Sequence, residues 1–102
     1  MSEKVTYIDS KNFENEVIKS NKVVVDFYST DCPPCEALAS KFESLADVYG
    51  DDIKFVKIHR QENRDLAIEL GVSSSPTLLF YKDGELKGKR LSGGIKRSEI
   101  VE

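Results

Sequence analysis

The chain has 102 residues, a length typical of one domain, of which 39% are apolar and 32% are charged. A net charge of −3 argues against a protein that binds mainly to phosphate backbones, because such proteins need a basic surface. No apolar run reaches the roughly 20 residues of a membrane span, and the polar segment 1–10 lacks the apolar core of a secretion signal. These features predict one acidic domain over residues 1–102, located in the cytoplasm.

The first quarter of the chain contains two strand-like segments separated by a short helix. Val5–Ile8 has the pattern of a short strand, and a helix capped by Ser10 is expected to run to about Ser20. Residues 22–28 then form a nearly continuous run of β-branched and aromatic side chains, which is typical of a central strand buried on both faces. The one acidic residue in this run is Asp26.

The strongest helix signal follows over Pro34–Tyr49, where apolar residues recur at the helical period until Gly50 ends the pattern. A strand over Ile53–His59 and a helix over Asn63–Leu70, ended by Gly71, come next. The apolar positions of the longer helix are Leu38, Phe42, Leu45, Ala46 and Tyr49.

The last third of the chain is expected to begin with a hairpin. Strands over Thr77–Tyr81 and Glu85–Leu91 flank Asp83-Gly84, a dipeptide favoured in hairpin turns. Gly93-Gly94 then interrupts the chain before a last helix over Ile95–Glu102. The order β-α-β-α-β-α-β-β-α predicts an α/β fold, in which a mixed central sheet has helices on both faces.

Both cysteines of the chain, Cys32 and Cys35, lie between the second strand and the following helix. A bridge between them closes a loop of about four residues and stabilises the fold by roughly 2 kcal/mol at best, so the pair suits redox exchange better than structural support. Zinc needs four ligands, and the chain offers two thiols and the distant His59, so no metal site is predicted. A thiol at a helix N-terminus ionises more readily, and the second thiol can cleave a mixed disulfide formed by the first.

Several sequence features together resemble the thioredoxin family, in the family's element order and over nearly the whole chain. They are Val25-Asp26-Phe27, Cys32-Pro33-Pro34-Cys35, Lys57, Ser75-Pro76-Thr77 and Asp83-Gly84. The resemblance implies a thioredoxin fold and a dithiol electron carrier that needs no bound cofactor. Such a carrier reduces disulfides in target proteins and is re-reduced by a partner reductase. We also expect a monomer that binds neither nucleic acid nor membranes.

The resemblance implies roles for four candidate catalytic residues. Cys32 would be the exposed attacking thiol, and Cys35 the buried resolving thiol. Asp26 would be a buried carboxylate that acts on Cys35 through water, and the alternative is an edge-strand or surface acid. Lys57 would either pair with Asp26 or be a solvated strand residue.

Substrates are expected to bind around the attacking sulfur. The resemblance implies that Pro76 is cis beside the sulfurs, although most X–Pro bonds in proteins are trans. The candidate substrate-binding residues are Asp31, Pro33, Ser75, Pro76, Ser92 and Gly93.

The chain departs from the family pattern close to these residues. Asp31 stands where tryptophan is usual, Pro33-Pro34 replaces Gly-Pro, and Ser92 replaces a groove-lining glycine. Glu36 occupies a position where a basic residue is common. Two acidic side chains beside the sulfur favour partners with basic docking surfaces, so the cognate reductase is expected to be atypical.

The paired prolines predict where the active-site helix begins. A residue that precedes proline avoids the α region, so Cys32 and Pro33 are expected to be extended. Proline suits the first helical position, so the helix is expected to start at about Pro34.

Two other functions stay open. A disulfide oxidase or isomerase of the same fold is disfavoured by Asp31 and Glu36, because oxidants stabilise their thiolate with positive charge or extra donors. A non-catalytic binding module is disfavoured because both cysteines and Pro76 are present.

Overall fold

The computed structural model describes residues 5–30, 32–50, 52–73 and 75–92. Its strands are β1 (Val5–Ile8), β2 (Lys22–Tyr28), β3 (Lys54–His59), β4 (Thr77–Lys82) and β5 (Glu85–Ser92). They form one sheet in the spatial order β1-β3-β2-β4-β5. β1 and β2 lie parallel to β3, whereas β4 is antiparallel to β2 and to β5, which confirms the predicted mixed sheet.

Two α-helices connect the strands, with α1 at Pro33–Tyr49 and α2 at Arg64–Glu69. A single 3₁₀ turn at Gln61–Asn63 leads into α2. None of the helices in the described ranges is long and apolar enough to cross a membrane. The predicted last helix, Ile95–Glu102, lies outside the described residues, as do Asp31 and Gly93.

Side chains of the sheet alternate between two apolar cores, as the period of two along a strand requires. On one face, Val24 and Phe55 pack in a buried cluster with residues of α1 such as Phe42. On the opposite face, Val25 and its neighbours form a second cluster with residues of α2 and of the segment before β2. Asp26 follows Val25, so its side chain belongs to the face that α1 covers.

The predicted first helix is a shorter element than expected, and Ser10 does not cap it. The segment forms a π-helical turn at Glu14–Ile18. The backbone N–H of Ser10 donates to Asn63 Oδ1 at 2.8 Å, while the Asp9 carbonyl accepts from the N–H of Asn12 at 3.0 Å. These contacts hold the chain in a turn before the helical residues, so the Ser10 prediction is wrong.

The apolar stripe of α1 is buried as predicted except at its last position. Its other members are buried, whereas Tyr49 is 39% exposed. Tyr49 is the final residue of the helix, where the side chain extends past the core that the preceding turns fill.

The turn of the hairpin between β4 and β5 requires glycine at position 84. Asp83 and Gly84 both have positive φ, as the predicted hairpin turn requires. A Cβ atom on Gly84 would lie 2.7 Å from the carbonyl oxygen of Ile18, so the turn packs directly against the backbone of the π-helical segment.

We therefore expect Gly84→Ala to lower the free energy of unfolding by about 1–3 kcal/mol, because it adds both a backbone clash and an unfavourable φ. The control is Gly50→Ala, since Gly50 ends α1 at φ −63°, which alanine adopts without strain. Urea unfolding of both variants measures the difference. Equal stabilities for the two variants would contradict this account of the turn.

Candidate active site

β2 leads into the N-terminus of α1, and Cys32 lies at that junction. Cys32 is extended, with φ −121° and ψ 94°, as the prolines predict. α1 begins at Pro33, one residue before the predicted start at Pro34. The prediction that Pro33 is extended is therefore wrong. The first helical positions need no backbone N–H within the helix, so both prolines fit there.

The sulfur of Cys32 caps α1 and accepts a hydrogen bond from the N–H of Cys35 at 3.2 Å. An N-cap side chain ordinarily accepts from the second or third helical residue. Here the second helical residue is Pro34, which has no N–H. Cys35 therefore supplies the one donor that this position can offer to the sulfur.

Cys32 and Cys35 are joined by a disulfide bond, with their Cα atoms 5.2 Å apart. Cys32 is 7% exposed and Cys35 is 5% exposed. The predicted contrast between an exposed and a buried cysteine is therefore wrong for this oxidised form. The Cys32 Sγ lies 3.6 Å from the carbonyl oxygen of Ser75, which covers it.

The segment Ser75–Thr77 forms the other side of the site. The Ser75–Pro76 peptide bond is cis, and Pro76 is buried. Thr77 pairs with Ser92 in the ladder between β4 and β5, so the backbone of Ser92 lies at the same end of the sheet. The structure thus brings Pro33, Ser75, Pro76 and Ser92 to the end of the sheet where the two cysteines lie.

Asp26 is fully buried on the face of the sheet that α1 covers, so the alternative of a surface acid is wrong. Within the described ranges, no protein group donates a hydrogen bond to either of its carboxyl oxygens. Burial raises the pKa of Asp26 from 3.8 to about 7, and the positive charge of Lys57 acts in the opposite direction. The carboxyl group can therefore both release and accept a proton near neutral pH.

Lys57 lies directly opposite Asp26 in the β2–β3 ladder, yet the two side chains form no ion pair. Its ammonium group lies 4.9 Å from the ring centre of Tyr28 and 5.5 Å from that of Tyr7. At 6% exposure, Lys57 is not a solvated residue, and it acts on Asp26 through its charge rather than through a direct ion pair. Attraction to the faces of the two rings accounts for its position.

The residues at the end of β3 and just after it, to which the sequence assigned no role, also support the site. The N–H of Arg60 donates to the carbonyl of Tyr28 at 2.7 Å, and its Nε donates to the Ser75 hydroxyl at 2.7 Å. His59 Nδ1 accepts from the N–H of Glu62 at 3.2 Å, which leaves Nε2 to donate to the Thr30 hydroxyl at 2.9 Å. One feature of the sequence indicated that His59 and Arg60 lie near the site, namely their position at the end of a strand that was expected to be parallel to β2.

The Thioredoxin family model matches residues 4–102. This chain belongs to the thioredoxin family. Thioredoxin of Acidithiobacillus ferridurans is 33% identical over 102 residues, which cover 99% of this chain and 94% of that protein. Thioredoxin-1 of Schizosaccharomyces pombe is 40% identical over 77 residues, 76% of this chain and 74% of that protein.

The fold agrees with that of solved thioredoxins. This chain matches the structure of thioredoxin from Malassezia sympodialis with a TM-score of 0.85 and 29% sequence identity. The match covers 95% of this chain and 84% of the Malassezia chain. With a cysteine pair that forms a disulfide, this member of the thioredoxin family is a thiol–disulfide oxidoreductase of the protein-disulfide reductase class.

The buried carboxyl group predicts how stability depends on pH. A native pKa of about 7 against 3.8 means that the folded chain binds more protons than the unfolded chain between these values. The free energy of unfolding should therefore fall as pH rises from about 4 to about 7. Asp26→Asn should remove this fall and raise the free energy of unfolding by about 2–4 kcal/mol at alkaline pH.

Chemical denaturation of the oxidised protein across this pH range measures the effect. The control is Asp52→Asn, an exposed position in the turn after α1, which should keep the fall. A wild-type profile that does not fall between these pH values, or an Asp26→Asn profile that still falls, would refute the assignment.

Proposed function

We propose that the protein reduces target disulfides in two steps, with Cys32 as the attacking thiol and Cys35 as the resolving thiol. The observation that carries this proposal is the disulfide between Cys32, at the N-cap of α1, and Cys35, in its first turn. A sulfur at the N-cap receives the Cys35 N–H and the positive end of the helix dipole, which stabilises a thiolate.

In the first step, the Cys32 thiolate attacks one sulfur of the target disulfide. The target S–S bond breaks, a mixed disulfide forms, and the other target sulfur leaves as a thiolate that takes up a proton. In the second step, Cys35 loses its proton and attacks the Cys32 sulfur. The second target thiolate leaves, the Cys32–Cys35 bond forms, and two electrons have passed to the target.

Asp26 is proposed as the group that accepts the proton of Cys35, with a water molecule as the link. Its buried position on the face beneath α1 supports this role, as does a pKa of about 7, which suits a general base at neutral pH. Lys57 would favour the charged form of Asp26 from the adjacent strand without bonding to it. Lys57 is thus a positioning charge rather than a proton carrier.

The cycle closes when a partner reductase returns two electrons to the Cys32–Cys35 disulfide. Glu36 is exposed on the first turn of α1, which supports our proposal that this reductase has a basic docking surface. We also propose a cytosolic location, because both cysteines serve the redox pair and none forms a long-range structural bridge.

The test uses insulin as the disulfide substrate and dithiothreitol as the electron source. The wild type should accelerate insulin reduction, Cys32→Ser should be inactive, and Cys35→Ser should accumulate a mixed disulfide visible by mass spectrometry. Asp26→Asn should slow release of the mixed disulfide by about tenfold or more while leaving alkylation of Cys32 nearly unchanged.

Asp52→Asn serves as the matched control and should behave as the wild type in both steps. Trapping of the mixed disulfide by Cys32→Ser instead of Cys35→Ser would reverse the proposed roles of the cysteines. Equal slowing of alkylation and release in Asp26→Asn would contradict its role as the base for Cys35.

A further inference from the structure

Arg60 places a permanent positive charge beside the redox-active cysteines. Its backbone N–H is bound to the carbonyl of Tyr28 at the end of β2, and its Nε is bound to the hydroxyl of Ser75. Both contacts hold the residue at the end of the sheet where Cys32 lies. The guanidinium group is therefore anchored from its backbone and from its side chain.

Only Ser75 separates this cation from the reacting sulfur. The carbonyl oxygen of Ser75 lies 3.6 Å from Cys32 Sγ, and the hydroxyl of the same residue lies 2.7 Å from Arg60 Nε. The guanidinium thus lies within about one Debye length of the sulfur, ~10 Å at 0.1 M ionic strength. A disulfide that reaches Cys32 must bring its flanking residues into the field of Arg60.

The guanidinium has donors left for a ligand. Arginine has five N–H groups in a planar fork that matches a carboxylate, and the contact with Ser75 uses the one on Nε. Within the described part of the chain, no carboxylate forms an ion pair with Arg60. The side chain is half-buried, so its charge is screened less by solvent than that of a fully exposed arginine.

We propose that Arg60 is a specificity-determining residue, which favours target disulfides with a carboxylate beside the attacked cysteine. This inference rests on the proposed function and adds a substrate class to it. The carboxylate of the target would bind at Arg60, just after β3, whereas the proposed docking surface for the reductase includes Glu36 on α1. Acidic targets and a basic reductase are therefore compatible with one site.

The test uses two synthetic peptides with an internal disulfide, identical except for Glu or Gln next to one cysteine. We expect the reduced wild-type protein to reduce the Glu peptide roughly threefold faster, the advantage that a partly exposed ion pair supplies. In Arg60→Gln this ratio should fall to about one, because the glutamine side chain carries no charge. Arg60→Lys should keep part of the preference.

The matched control is Lys82→Gln, which removes the same charge from an exposed residue. Lys82 pairs with Lys22 at the start of β2, about 20 Å at 3.3 Å per residue from the end of the strand that leads to the cysteines, so this variant should keep the preference. The wild type provides a test without any substitution. Its preference should vanish between about 10 mM and about 1 M salt, as the Debye length falls from ~30 to ~3 Å.

Equal wild-type rates for the two peptides at low salt would overturn the inference and leave the proposed function standing. An unchanged preference in Arg60→Gln, or equal slowing of both peptides, would overturn it too, because Arg60 would then act only through Ser75. Failure of the wild type to reduce either peptide would overturn the proposed function and this inference with it.

Discussion

A fully buried carboxyl group, to which no described protein group donates a hydrogen bond, lies in the middle of the sheet. Asp26 belongs to β2, whose neighbours β3 and β4 cover it on both sides, while α1 covers it from above. Among the described residues, no protein group donates a hydrogen bond to the carboxylate, and Lys57 contacts two tyrosine rings instead of forming an ion pair with it, although its charge still acts against the effect of burial. The protein tolerates this cost at the strand that ends beside its cysteines.

The remaining features of the site depend on the segment that joins β2 to α1. The strand ends at Tyr28, and a short segment leads to Cys32, which is extended and caps α1. The same helix that presents the sulfurs also shields Asp26 from solvent. In the proposed mechanism, thiol exchange and proton transfer are coupled through this one strand–helix junction. Arg60, which follows β3, connects the end of β2 to Ser75.

Much of this arrangement could be predicted from the sequence, because period and turn chemistry are local signals. The run over residues 22–28, the stripe along α1 and the Asp83-Gly84 turn each correspond to an observed element. The prediction that Ser10 caps a helix failed because serine is also common in turns. Here the N–H of Ser10 donates to the side chain of Asn63. That contact spans 53 residues and leaves no local pattern.

The parts of the site formed by residues close together in the sequence could be predicted. The parts that depend on contacts between strands could not. The Cys32–Cys35 spacing indicated the disulfide, but the position of Lys57 over Tyr7 and Tyr28 depends on strand order and register. The contact of Arg60 with Ser75 likewise joins residues that only folding brings together.

The buried state of Asp26 is tested by a titration of its side-chain carboxyl carbon, followed by nuclear magnetic resonance in the oxidised protein. We expect a midpoint near pH 7, because burial raises the pKa of Asp26 to about 7. Replacing Lys57 by Met should move the midpoint further upward, since the charge of Lys57 opposes the effect of burial. A midpoint near 4, the ordinary value for an exposed aspartate, would show that burial does not raise the pKa of Asp26.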